Sequence, residues 1–233
     1  MKEYWYFLPL IGVIAILMAF QISEYNIRDY AEIPDEIKSL EDIEEINIEG
    51  INISLKFDPK TTNIYYSNKI SIRKEKNKLY LNGQKLNGNL EIVIGTKDIF
   101  NNLTINGVNI SLSGKVKSDI LKLDGSNITI KKDFIFIGNE IDLDGVNNVI
   151  SGEIQAKLIN IDGISNDINL KVMKVENINL DGISINGEIM YLDTWEGIRE
   201  ISLDGISTKI VVKIKKENIG EIKINKNVEI IKY

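Results

Sequence analysis

Residues 178–185 read INLDGISI, and six further stretches repeat that phrase with small edits. They are INIEGINI (46–53), LTINGVNI (103–110), LKLDGSNI (121–128), IDLDGVNN (141–148), INIDGISN (159–166) and ISLDGIST (201–208). Within each copy apolar and polar residues alternate, so Ile178 and Leu180 share one side of a strand while Asn179 and Asp181 share the other. Asp-Gly is a strong turn signal and glycine accepts positive φ, which predicts strand, turn, strand, with Ile183 resuming the apolar side and Ser184 facing out.

Spacing separates hairpins from coils. Gly107, Gly125, Gly145, Gly163, Gly182 and Gly205 follow one another at 18, 20, 18, 19 and 23 residues. A two-residue Asp-Gly hairpin is the ordinary meaning of the dipeptide. Hairpins give no reason for the same residues to return every ~19 positions, whereas a solenoid sets each turn on the turn below. The six-residue period of a left-handed β-helix is missing. The pattern therefore predicts an all-β fold, a right-handed parallel β-helix with laps of about 18–23 residues. Composition agrees: isoleucine supplies about a fifth of the chain, and β-branched side chains favour pleated surfaces over helices.

The remaining segments are read around this core. Residues 5–22, WYFLPLIGVIAILMAFQI, carry no charge, and such a run just spans a ~30 Å hydrocarbon core. Tyr4, Trp5 and Tyr6 sit where an interfacial aromatic belt would. A weak positive n-region and no small-x-small cleavage site favour a retained anchor over a cleaved signal peptide. Lys2 and the α-amino group place the N-terminus on the cytoplasmic side. The expected division is a transmembrane anchor over 1–23, an acidic linker over 24–45 and a β-solenoid domain over 46–233, facing outward from the cell membrane. In the linker, Pro34 and the helical spacing of Ile33, Ile37, Leu40 and Ile43 predict a short amphipathic helix capping the first rung, with a flexible stalk as the alternative. Between Gly50 and Gly107 the pattern loosens. NIYYS, KISIRK, KLYLNG and LEIVIG read as strands of irregular early laps or of a small antiparallel meander, with LNGQKLNG as a turn. The last segment, Asn218 to Tyr233, reads as a closing lap whose lysines discourage end-to-end growth.

The recurrent [IL]-x-[IL]-[DN]-G-[IV]-[SN], together with the hydrophobic N-terminus, resembles the adhesin-like β-solenoid domains of bacterial and archaeal envelopes. The resemblance covers about residues 46–225 and implies a solenoid with a surface-contact role. It supplies no catalytic residues.

Function is bounded by what the chain lacks. There is no Cys and no His, which removes disulfides, thiolate nucleophiles and imidazole bases. The net charge of −6 is dispersed with no basic stripe, so nucleic acid is not an expected partner. The pairs Asp124–Gly125, Asp144–Gly145, Asp162–Gly163, Asp181–Gly182 and Asp204–Gly205 are expected to be structural turns stacked in a column. A Ca²⁺-binding row is the alternative, but nine-residue Ca²⁺ repeats with several glycines each are absent, so no metal or cofactor is expected. The slot two after glycine, Asn52, Asn109, Asn127, Asn147, Ser165, Ser184 and Ser207, is expected to form a hydrogen-bonded ladder, with a glycan-binding row as the alternative. The longer insertion GEIMYLDTWEGIRE (187–200) brings Tyr191, Asp193, Trp195, Glu196 and Arg199 together. An aromatic beside carboxylates and an arginine can stack a sugar, making this the ligand patch to inspect; the plainer role is a bulge that covers the core with Trp195. These readings lead to a non-catalytic, membrane-anchored contact protein whose partner is a surface glycan or envelope protein. The rivals are an envelope-stress sensor ectodomain and a polysaccharide-active enzyme.

Overall fold

The structure, a computed structural model, describes residues 36–66, 70–83, 90–96, 99–225 and 228–233. The expected membrane anchor lies outside the described residues. Within them no helix is long and apolar enough to cross a membrane, and every regular element is a β-strand.

The repeats wind as a β-solenoid of about six turns. Strand Glu140–Gln155 runs parallel to Leu158–Met173, which runs parallel to Asn177–Tyr191, and the latter to Ile198–Ile206 and Lys209–Ile214. The register is one-to-one. Ile141, Ile159, Ile178 and Ile201 stand directly over one another, as do Leu143, Ile161, Leu180 and Leu203. All eight are buried. The two columns line one inner wall, as period-two alternation demands when a single face meets the core. Phe57, Phe134 and Phe136 are buried in the same core, with the rings of Phe57 and Phe134 5.9 Å apart. The closing strands Glu221–Ile224 and Glu229–Lys232 continue the parallel stack, as expected.

The early part departs from chain order. Strand Glu45–Asp58 is flanked on one side by Phe100–Ser126 and on the other by Lys78–Gly83 and Leu90–Gly95, all parallel to it. The chain lays down one rung, steps back to place Lys78–Gly83 and Leu90–Gly95 beneath it, then crosses to the far side and coils onward. Antiparallel strands finish this end: Ser71–Glu75 on Lys78–Gly83, Asn63–Tyr66 on Leu90–Gly95, and Glu36–Ser39 on Asn63–Tyr66. Early laps and an antiparallel patch thus coexist. The LNG of residues 81–83 belongs to a strand rather than a turn.

The expected capping helix is corrected over residues 36–43. Ile37 pairs with Tyr65 in a strand, and Leu40 and Ile43 enter the core from a tight turn in which the Ile43 N–H donates to the Leu40 carbonyl (3.0 Å). Spacing of three suits that turn as well as a helix, and the exposed edge of Asn63–Tyr66 offers backbone partners that a helix could not use.

Candidate functional site

The corner of the repeat is the first candidate surface. The strand continues straight through Asp-Gly, correcting the expectation that Asp124–Gly125, Asp144–Gly145, Asp162–Gly163, Asp181–Gly182 and Asp204–Gly205 are the turns themselves. The chain bends two residues later. Asn52, Asn109, Asn127, Asn147, Ser165, Ser184 and Ser207 all hold φ between 55° and 59°. That left-handed region is one which asparagine tolerates best among residues bearing a Cβ. Their side chains form part of the expected ladder: Asn109 Nδ2 donates to Asn52 Oδ1 (2.7 Å), and Asn127 Nδ2 donates to Asn109 Oδ1 (2.9 Å).

The glycine before the corner is required by stacking. A Cβ on Gly125, Gly145, Gly163, Gly182 or Gly205 would lie 1.8–2.0 Å from the carbonyl oxygen of the glycine one lap below. Even the smallest side chain would drive adjacent rungs apart. Gly83 and Gly50 extend the same column at the early end.

The bend has a consequence for side-chain direction. Ile183 faces solvent, not the core, which overturns the expected assignment; the next inward residue is Ile185, fully buried. The same holds along the stack. Ile51, Val108, Val146, Ile164, Ile183 and Ile206 are 38–66% exposed and stand in register, with only Ser126 interrupting the row. The row was legible in principle. An asparagine or serine suited to positive φ, flanked by two apolar residues, marks a corner where the apolar sides switch.

Two residues earlier on the same strands stands the acidic row, Asp124, Asp144, Asp162, Asp181 and Asp204, one per lap and exposed. Glu49 occupies the same slot between Asn82 and Asn106. The carboxyl of Asp144 is pushed above the usual range, first by partial burial and then by its neighbours Asp162, Asp124 and Asp142. Among the described residues no group of three or more acidic side chains converges on a metal-sized point, because in-register stacking holds successive carboxylates apart along a line. Inside the corner, two asparagines escaped sequence reasoning. Buried Asn148 accepts from the Ile128 N–H (3.1 Å) and donates to Asn166 Oδ1 (2.9 Å), continuing the interior polar step.

The second candidate is the insertion at 187–200. Four of its five proposed residues do meet. The Arg199 guanidinium lies 4.2 Å from the centre of the Trp195 ring system and 5.2 Å from that of Tyr191, and the two aromatic rings are 5.0 Å apart. Arg199 also forks onto Asp193 through Nη1–Oδ1 (3.1 Å) and Nη2–Oδ2 (2.8 Å), while the Lys174 N–H donates to Asp193 Oδ2 (2.9 Å). Burial raises the Asp193 carboxyl, but the Arg199 bonds, the Lys174 N–H and the Arg199 charge outweigh it and leave the group below its ordinary range. Burial pushes the Tyr191 phenol up, and its hydroxyl sits in the core without a hydrogen-bond partner. Trp195 closes over the core, its backbone N–H donating to Asn218 Oδ1 (2.9 Å), its indole Nε1–H to the Glu221 carbonyl (3.4 Å), and its ring against the Gly220 backbone. Glu196 stays apart, exposed on the rim of a groove of about 840 Å³ that also takes in Lys157, Lys174, Glu176 and Glu200. Chemically, this cluster is a plug. Its arginine is satisfied internally, and the partly buried Asp193 carboxylate is held toward its ionised form, the reverse of what a general acid needs.

No family model matches the chain, and neither does any curated protein. Among solved structures, the chain is similar to a crystal structure of a "putative adhesin" from Bacteroides fragilis, with a TM-score of 0.44 and 12% identity, over 84% of this chain and 95% of that one.

Proposed function

We propose that this chain is a membrane-anchored, extracytoplasmic β-solenoid with a structural or adhesive role, holding out a rigid face to another macromolecule and performing no catalysis. The observation that carries the reading is the registered corner, where each lap repeats the same acidic, aliphatic and left-handed positions along one line. A line of equivalent positions suits an extended partner, as solenoid surfaces generally do. The coil is taken as right-handed, the hand of nearly all crossovers between parallel strands. The uncharged run 5–22 anchors it, with Lys2 on the cytoplasmic side.

The test is binding of the full chain to a glycan array and to isolated envelope fragments, with and without Ca²⁺. Retention on a surface ligand without turnover supports the reading. Polysaccharide cleavage that disappears in folded Asp193→Asn or Glu196→Gln protein would replace it with an enzyme.

A further inference from the structure

We propose that the aliphatic row Ile51, Val108, Val146, Ile164, Ile183 and Ile206 is a docking strip for a cationic amphipathic helix of a partner protein, laid along the stack. The proposal rests on the contact-surface reading above and specifies the partner's chemistry.

Three observations carry it. Six of the seven registered rungs carry an aliphatic side chain at the surface, the last four without a break, where a monomer normally scatters such residues singly. The fold does not demand them, since Ser126 occupies the same position one lap below Val146 with the register intact.

Charge then selects the occupant. The carboxylates of Asp144, Asp162, Asp181 and Asp204 run beside the strip, two residues or ~6.6 Å away along each strand. Their mutual repulsion falls when lysines or arginines lie alongside. A second copy docking through the same strip would bring only more carboxylates to this line, and an anionic lipid surface would be repelled.

Pitch selects the partner's conformation. Laps recur every ~4.8 Å, close to the 5.4 Å turn of a helix, whereas one face of an extended strand repeats at ~6.8 Å. The seven rungs from Ile51 to Ile206 span ~29 Å, the length of a helix of about 20 residues. Leucines at helical spacing would lie on the aliphatic row with flanking lysines reaching the acidic one.

The test titrates the full chain, in nonionic detergent, with a fluorescent 20-residue Leu/Lys amphipathic peptide and with its Leu/Glu counterpart. Saturable one-to-one binding of the Leu/Lys peptide is expected. It should weaken at least ten-fold in Ile164→Thr/Ile183→Thr and, with loss of salt dependence, in Asp162→Asn/Asp181→Asn. Thr keeps the β-branch at half-exposed sites, and Ile206→Thr supplies a single change in the same direction should the pair fold poorly. Unchanged affinity in these variants, equal binding of the Leu/Glu peptide, or a wild-type dimer that the Ile164→Thr/Ile183→Thr change dissolves would each overturn the assignment. If surface or glycan binding persists while the peptide fails, the strip assignment falls and the contact reading stands.

Discussion

Gly163 lies so close above Gly145 that a Cβ on it would stand 1.8 Å from the Gly145 carbonyl oxygen. The same relation recurs at Gly182 over Gly163 and at Gly205 over Gly182. The contact is with backbone, which cannot swing aside as a side-chain tip can. Gly163→Ala should therefore cost about 3 kcal/mol or more, as overpacking of a close contact does. At Gly50 the added carbon would meet the mobile Ile53 Cδ1 instead, and Gly50→Ala should cost about 1 kcal/mol. Urea denaturation of the two variants checks the difference.

The corner makes Ile183 and Ile185, two residues apart, unequal. Ile183 is half-exposed and Ile185 fully buried. Ile185→Ala should destabilise by about 3 kcal/mol through lost burial and a cavity, while Ile183→Ala should stay within about 1 kcal/mol. Had the chain turned at Asp181–Gly182 and kept Ile183 inside, the order would reverse.

Ser165, Ser184 and Ser207 hold left-handed backbone that asparagine tolerates better. Ser184→Asn should raise stability by about 0.5 kcal/mol, and the reverse change Asn127→Ser should lower it by more, because Asn127 also donates to Asn109. Paired denaturation curves read both.

Two carboxylates predict pH responses of opposite sign. The folded Asp193 carboxyl is depressed, so its contribution is complete above the unfolded value of about 3.9 and drains away as pH falls through the folded one. Arg199→Ala should cost about 2–3 kcal/mol at pH 7, where it strands a partly buried charge, and the deficit should narrow in acid. Asp144 is raised in the fold, so its penalty is complete above the raised value and gone below the unfolded one. Asp144→Asn should stabilise at pH 7, less so in high salt, and not at all at pH 3. Thermal unfolding across pH 3–7 follows both.

Much of this architecture is legible in the sequence because a solenoid writes its period into the chain. The return of Gly107 through Gly205 every ~19 residues decides against hairpins, and the columns of Ile178 and Leu180 follow from alternation. The location of the bend was hidden. Asp-Gly serves equally as a turn and as a place where two backbones touch, and only the left-handed asparagines after it tell the two apart. The stepped-back strands Lys78–Gly83 and Leu90–Gly95 were hidden too, since Gly83 pairs with Gly50 across 33 residues and leaves no local period. At 187–200, composition foretold the meeting of Tyr191, Trp195 and Arg199. It did not foretell that the Arg199–Asp193 fork would close the cluster on itself, because pairing among several charges depends on geometry that spacing does not encode.

The central claim, that successive copies stand in register on neighbouring rungs, is tested most directly by oxidative crosslinking. The chain has no native cysteine, so introduced pairs report without background. Ile164 and Ile183 are direct neighbours across one rung, while Ile206 lies one rung beyond Ile183. Ile164→Cys/Ile183→Cys should form an intramolecular disulfide under mild oxidation, since adjacent strands place Cα atoms within the bridging range of about 4.4–6.8 Å. Ile164→Cys/Ile206→Cys, about 9.6 Å apart across two rungs, should not. Equal crosslinking of both pairs, or none in the first, would contradict the stack.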